Sequence, residues 1–241
     1  MIVRFARFVG GVVRGTLTNR LPVEAAIDQA YAIGVRSLPI LLVISTFVGT
    51  NLTVQGYSAF RDLGGESLVG MFVALAGVRE MAPIMVASMV AAKAGTEMAS
   101  QIAVMRTQEQ IDALEVMAID PYWYLVTPRL LGIVLVLPAL TMASIFTLMV
   151  AAVIVGRLQL GLDAHEFVAR AADTTELVHL GYCTIKAVWF GVVICLVSCY
   201  CGFVSRPGPS GVGTATNAAV VTSAVGCAIL NYVLSSWMFG T

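Results

Sequence analysis

KAGTEMASQIAVMRTQEQIDALEVMAIDPYWYLVTPR, residues 93 to 129, is the one extended polar segment in a chain otherwise built of long apolar runs. Its middle, residues 107–120, is predicted to form a short amphipathic surface helix. Thr107 and Gln110 have capping-box spacing, so hydroxyl and amide can satisfy orphan backbone donors at a helix start. Glu109 and Asp112 then fall in or just after the first turn, where negative charge complements the helix dipole. Ile111, Leu114 and Ala118, with Met117 beside them, make one apolar stripe, and Gln108, Asp112 and Glu115 lie away from it. Asp120-Pro121 is expected to stop the helix, because a residue before proline is pushed out of the α region. A helix of this kind held between two membrane spans can pass force to a soluble partner; a solvated loop helix without a partner is the plainer reading.

Composition fixes the class around this segment. Hydrophobic residues make up 59% and charged residues 12% of the 241, and the mean hydropathy is +0.89. A soluble globular domain carries about 25% charged residues, so this chain has too few to cover a water-facing surface. The formal net charge of +0 gives no basic field and no case for nucleic-acid binding. The five cysteines lie in or beside apolar segments without zinc-site spacing, and read as small packing residues.

Five spans are predicted, at residues 37–60, 67–92, 130–156, 181–204 and 217–239, each long enough to cross at about 1.5 Å per residue. Residues 1–34 form an N-terminal region. In it Arg4, Arg7, Gly11 and Arg14 fall on one helical face and Phe5, Phe8, Val9 and Val12 on the other, the pattern of a basic helix in the headgroup plane. Arg4, Arg7 and Arg14 would anchor it to the membrane surface. The arginines and lysines set the orientation. With the N-terminus cytoplasmic, one side holds Arg4, Arg7, Arg14, Arg20, Arg36, Lys93, Arg106, Arg129 and Arg206, and the other only Arg61, Arg157 and Arg170. The polar segment 157–180, which includes Glu176, and the C-terminus are then external. The expected fold is an all-α integral membrane protein: an interfacial amphipathic helix, five transmembrane helices, and a cytoplasmic coupling helix between the second and third.

Charges inside spans are the candidate substrate pathway. Arg79-Glu80 interrupts the second span, where an unpaired charge costs several kcal/mol. Pro83 cannot donate to the carbonyl of Arg79, which leaves a polar spot inside the apolar run. Snorkelling of both side chains to the external interface is the alternative. Lys186, near the start of the fourth span, either faces the same cavity or snorkels. Asn231 in the last span is a helix-to-helix hydrogen-bonding residue or a pathway residue. The glycine-rich run Pro207 to Gly213 lacks the Gly-Lys-Ser/Thr ending of a phosphate loop and reads as a turn before the last helix. His165 and His179 are too far apart to suggest a metal site, and no catalytic constellation stands out.

The runs Val78-Arg-Glu-Met-Ala-Pro83, Ala92-Lys-Ala-Gly95, Thr96-Glu-Met-Ala, and Glu109-Gln-Ile-Asp-Ala-Leu-Glu-Val-Met117 through Asp120-Pro121 to Pro128-Arg129 resemble the MlaE permease family. The closing segments Gly211-Val-Gly213, Ala218-Val-Val221 and Met238-Phe-Gly240 fit it too. The family pattern carries Gly-Arg where this chain has Ala92-Lys93. The resemblance covers essentially the whole chain and implies one permease domain over residues 1–241. It implies a homodimer served by two cytoplasmic ABC ATPase subunits and a periplasmic MCE-domain oligomer in a bacterial inner membrane. It also implies phospholipid or another hydrophobic lipid as substrate, and ATP and Mg held by the ATPase rather than by this chain. Glu97, Glu109, Gln110, Asp112, Leu114, Glu115 and Met117 would then serve ATPase coupling. A secondary transporter or channel working without ATP through Arg79, Glu80 and Lys186 is the competing expectation, though no inverted repeat is visible. A membrane scaffold without transport is a third.

Overall fold

The computed structural model describes residues 2–18, 22–62, 64–175 and 177–239. Arg20 and Glu176, counted in the charge pattern above, and Gly240 lie outside the described residues. Among the described residues every regular element is helical: α1 (Ile2–Thr18), α2 (Val23–Arg61), α3 (Glu66–Thr107), α4 (Gln110–Val116), α5 (Tyr122–Leu158), α6 (Ala164–Thr174), α7 (Leu177–Phe203) and α8 (Pro209–Phe239). Five of them, α2, α3, α5, α7 and α8, are long and apolar enough to cross a membrane.

Several boundaries differ from the sequence reading. Helix α2 starts at Val23, fourteen residues before Ser37, because the alanine-rich run 23–36 continues the helix through Pro39. The second span does not end at Ala92. It runs on to Thr107 through two wide, π-helical stretches at Ala74–Met81 and Ala91–Gly95. The segment 157–180 holds a helix of its own, α6, capped by Asp163, whose carboxylate accepts from the backbone N–H of His165 at 2.8 Å. Glycines 211 and 213 belong to the first turns of α8, so the turn itself shrinks to Pro207-Gly208.

The chain divides into two compact units assembled from separate stretches. The first comprises Met1–Ser37, Ala87–Leu137 and Val188–Tyr232. Its centre is aromatic: Phe8 of α1 packs against Tyr122, Tyr200 and Phe203 with centroid separations of 5.4, 5.7 and 5.6 Å. Helix α1 therefore lays Phe8, Val12 and Gly15 on protein. Gly11, expected on the arginine face, instead lies under the ring of Tyr122. Arg4, Arg7 and Arg14 are exposed.

The second unit comprises Leu38–Val86, Pro138–Ala187 and Val233–Thr241. Leu52, Val69, Val73, Leu148, Ala152 and Phe167 form its main buried cluster. Helices approach closely there because two glycines lack a Cβ. A methyl on Gly49 would run into the backbone carbonyl of Leu148, and one on Gly70 into that of Phe167. Buried Ser45 donates to the carbonyl of Leu41 at 2.7 Å, so the 2.8 Å contact with Ser144 takes its proton from Ser144 and ties α2 to α5.

Candidate functional site

The charged residues of the second span sit where its helix is widest. Within Ala74–Met81 the backbone follows the i to i−5 register, and Ala82 N–H still reaches the carbonyl of Gly77. Pro83 comes next and has no N–H. In the wide register that deprives Val78 of its donor, and in the α register it deprives Arg79. Side chains from α7 take both places. Cys183 Sγ donates to the carbonyl of Val78 at 3.2 Å, and Lys186 Nζ to that of Arg79 at 3.1 Å.

Lys186 is fully buried, with 0% exposure. An ammonium carries three donors, and here each has an acceptor: the Arg79 carbonyl, Glu80 Oε1 at 3.0 Å and Ser235 Oγ at 2.7 Å. Ser235 in turn donates to the Glu80 carboxylate, 2.9 and 3.1 Å from its two oxygens. A buried charge is tolerated when paired and fully hydrogen-bonded, and this one is. Glu80 keeps 39% of its side chain exposed, so the cluster has one closed end at Lys186 and one open end at the carboxylate. Arg79 is half-buried beside it. The structure thus brings Arg79, Glu80 and Lys186 together, with Lys186 turned inward rather than snorkelling. Asn231 belongs to the first unit, half-buried on α8. Ser235 was not foreseen, since a serine in an apolar run carries no periodic signal.

The polar segment in the first unit is built differently from its sequence reading. Thr107 is the last residue of α3, and its hydroxyl donates to the carbonyl of Ala103 at 2.9 Å and accepts from Gly208 N–H at 3.2 Å. The capping box is absent. Glu109, at φ 57°, ends α3 and starts α4 without a side-chain cap, and the Gln110 amide donates to Gln108. The stop also comes early. Ile119 N–H reaches the carbonyl of Leu114 and Ala118 N–H that of Glu115, both at 3.0 Å, with Ala118 at φ 57°: a Schellman motif with alanine in the glycine position. Asp120 and Pro121 belong to the next element instead. The Asp120 carboxylate accepts from Tyr122 N–H at 2.9 Å, and proline opens α5, where its missing donor costs nothing.

On α4, Ile111 and Leu114 are buried within the chain, so Leu114 anchors the helix. The outward surface holds Glu109, Gln110, Asp112 and Glu115, with Val116 and Met117 exposed at 88% and 61%. Glu97, far up α3 from this surface in sequence, pairs with Arg36 at 2.9 Å. Gln101 donates to the same Glu97 oxygen at 3.4 Å and accepts from buried Arg129 at 2.9 Å, while Lys93 donates to the carbonyl of Arg36. This chain of bonds links α2, α3 and α5. Sequence reading assigned Glu97 to ATPase coupling and used Arg36 and Arg129 only as orientation charges and, for Arg129, as part of the family pattern; their bonds to Glu97 and Gln101 were not foreseen.

The family described as Permease MlaE matches residues 26–237. The chain belongs to the MlaE permease family. A probable ABC transporter permease of Rickettsia felis is 32% identical over 244 residues, covering 98% of this chain and 94% of that protein. One from Synechocystis is 33% identical over 230 residues, covering 95% and 88%. The chloroplastic protein trigalactosyldiacylglycerol 1 of Arabidopsis thaliana is 33% identical over 230 residues, 95% of this chain and 66% of that protein. The chain is thus an ABC transporter permease of the MlaE family, an assignment that suits five apolar helices joined by a short polar segment.

Proposed function

We propose that this permease moves phospholipid or another hydrophobic lipid between a bacterial inner membrane and a periplasmic MCE-protein tunnel, as a homodimer driven by two cytoplasmic ATPase subunits. The observation that carries the reading is the outward surface of α4: four polar or acidic side chains beside exposed Val116 and Met117, on a helix held rigidly from behind by Ile111 and Leu114. Such a surface fits a groove in a soluble partner, and charges at its rim set the docking register. ATP and Mg belong to that partner. The name of the Arabidopsis relative contains a glycerolipid, which supports a lipid substrate.

In this mechanism ATPase closure shifts α4. The shift passes through the Glu97–Arg36 and Gln101–Arg129 bonds to the long helices. Arg79 meets the lipid headgroup, and Lys186 holds Glu80 in place beside it. Helix α1 lies in the cytoplasmic headgroup plane through Arg4, Arg7 and Arg14, which puts the C-terminus in the periplasm. Purification with the products of neighbouring genes, followed by mass spectrometry, tests the reading: an ABC ATPase, an MCE-domain protein and lipid should all be present. A secondary transporter using Arg79, Glu80 and Lys186 would instead give substrate or proton flux in liposomes from this chain alone, without ATP.

A further inference from the structure

A cavity of about 400 Å³ in the first unit joins three arginines to an aromatic wall. Arg4 and Arg7 reach it from α1 and Arg106 from the end of α3, and its lining contains no carboxylate. Arg106 donates through one Nη to the carbonyl of Phe203, which fixes the guanidinium plane and uses one of five donors. The aromatic part of the lining is preformed: Phe8, Tyr200, Phe203 and Tyr122 hold one another at centroid separations of 5.4 to 5.7 Å. Three positive charges and four rings in one lining suit a ligand with an anionic head and an apolar body. The volume suits a phosphate with its glycerol rather than a whole lipid. Val3 and Val13 are exposed on α1 alongside the arginines, so this helix also offers apolar contact outward, as a helix against lipid does.

We propose that Arg4, Arg7 and Arg106 form a discrete site for the phosphate of an anionic phospholipid, separate from the transport path. The bound lipid pins α1 to the end of α3, directly before α4, so its headgroup chemistry bears on the helix that meets the ATPase. This rests on the placing of α1 at the membrane surface argued above.

Native mass spectrometry of the full chain in detergent tests it, with dioleoyl phosphatidylglycerol, dioleoyl phosphatidylcholine or inorganic phosphate added. One phosphatidylglycerol per chain should be retained. Arg106→Gln should weaken retention about tenfold or more, the worth of one charge-assisted hydrogen bond. Because Arg106 also braces Phe203, an Arg4→Gln/Arg7→Gln double variant gives a second reading on an exposed helix and should show the same loss. Arg157→Gln, the same charge change on exposed α5, should not. Equal retention of phosphatidylcholine, equal losses in all variants, or competition by inorganic phosphate as strong as by the lipid would each overturn the proposal. The readout is binding, so absent transport with intact phosphatidylglycerol retention counts against the transporter reading and not against this site.

Discussion

Lys186 Nζ lies 3.1 Å from the carbonyl oxygen of Arg79, the acceptor that Pro83 leaves without its α-helical donor. The proline, the carbonyl and the buried ammonium are one arrangement. A lysine buried in an apolar span is stable here because a proline three residues after Glu80 frees a carbonyl for it, and because Glu80 and Ser235 accept its other protons.

Replacing Lys186 by Met should be strongly destabilising. It removes the ammonium that the Arg79 carbonyl and the Glu80 carboxylate accept from, and breaking such a buried pair costs about 3–5 kcal/mol. Partial water access to Glu80 puts the expected loss near the lower end. Thermal unfolding of the purified protein in detergent measures it. A Lys186→Met/Glu80→Gln double variant should recover part of the loss; additive losses would mean the two groups are not coupled.

The close approaches in the second unit are equally exposed to test. Gly70→Ala sets a methyl against the backbone carbonyl of Phe167, and Gly49→Ala sets one against that of Leu148; backbone cannot step aside as a side chain end can. Each should cost about 1–3 kcal/mol by overpacking. Gly10→Ala, inside α1 and meeting nothing within 4 Å, serves as the control and should hold or slightly raise the melting temperature.

Alanine is an awkward choice for the left-handed residue that ends α4. Ala118 sits at φ 57°, a conformation costing roughly 1–2 kcal/mol for a residue with a Cβ. Ala118→Gly relieves that and gives back part of it as unfolded-chain entropy, for a net gain of about 0.5–1 kcal/mol. A melting temperature unchanged or lowered by this substitution would contradict the Schellman geometry drawn here.

What the sequence made legible is what depends on long averages or on a single decisive residue type. Five apolar runs gave five helices, and Pro83 gave the freed carbonyl at Arg79. What it hid depends on which of several local bonds wins. Thr107 satisfied a capping pattern, yet its hydroxyl turned back to Ala103 because α3 had not yet ended. Asp120-Pro121 looked like a stop and is a start, since the same two residues suit either role. Ser235, Gln101 and Arg36 matter through partners far away in the chain, and no local period marks them. Phe167 and Ala171 bury the apolar stripe of α6 inside a stretch whose many charges read as loop.

The central claim is that α4 transmits force from an ATPase through its exposed acidic surface. Its most direct test changes Glu109, Asp112 and Glu115 singly to Lys, in the chain expressed with its neighbouring genes. The measurement is the ATPase retained on the purified permease, together with lipid transport in proteoliposomes. Each reversal should remove the ATPase and transport while the permease itself is extracted in normal amount, because these side chains face away from the fold. Full ATPase retention and undiminished transport in all three variants would contradict the account.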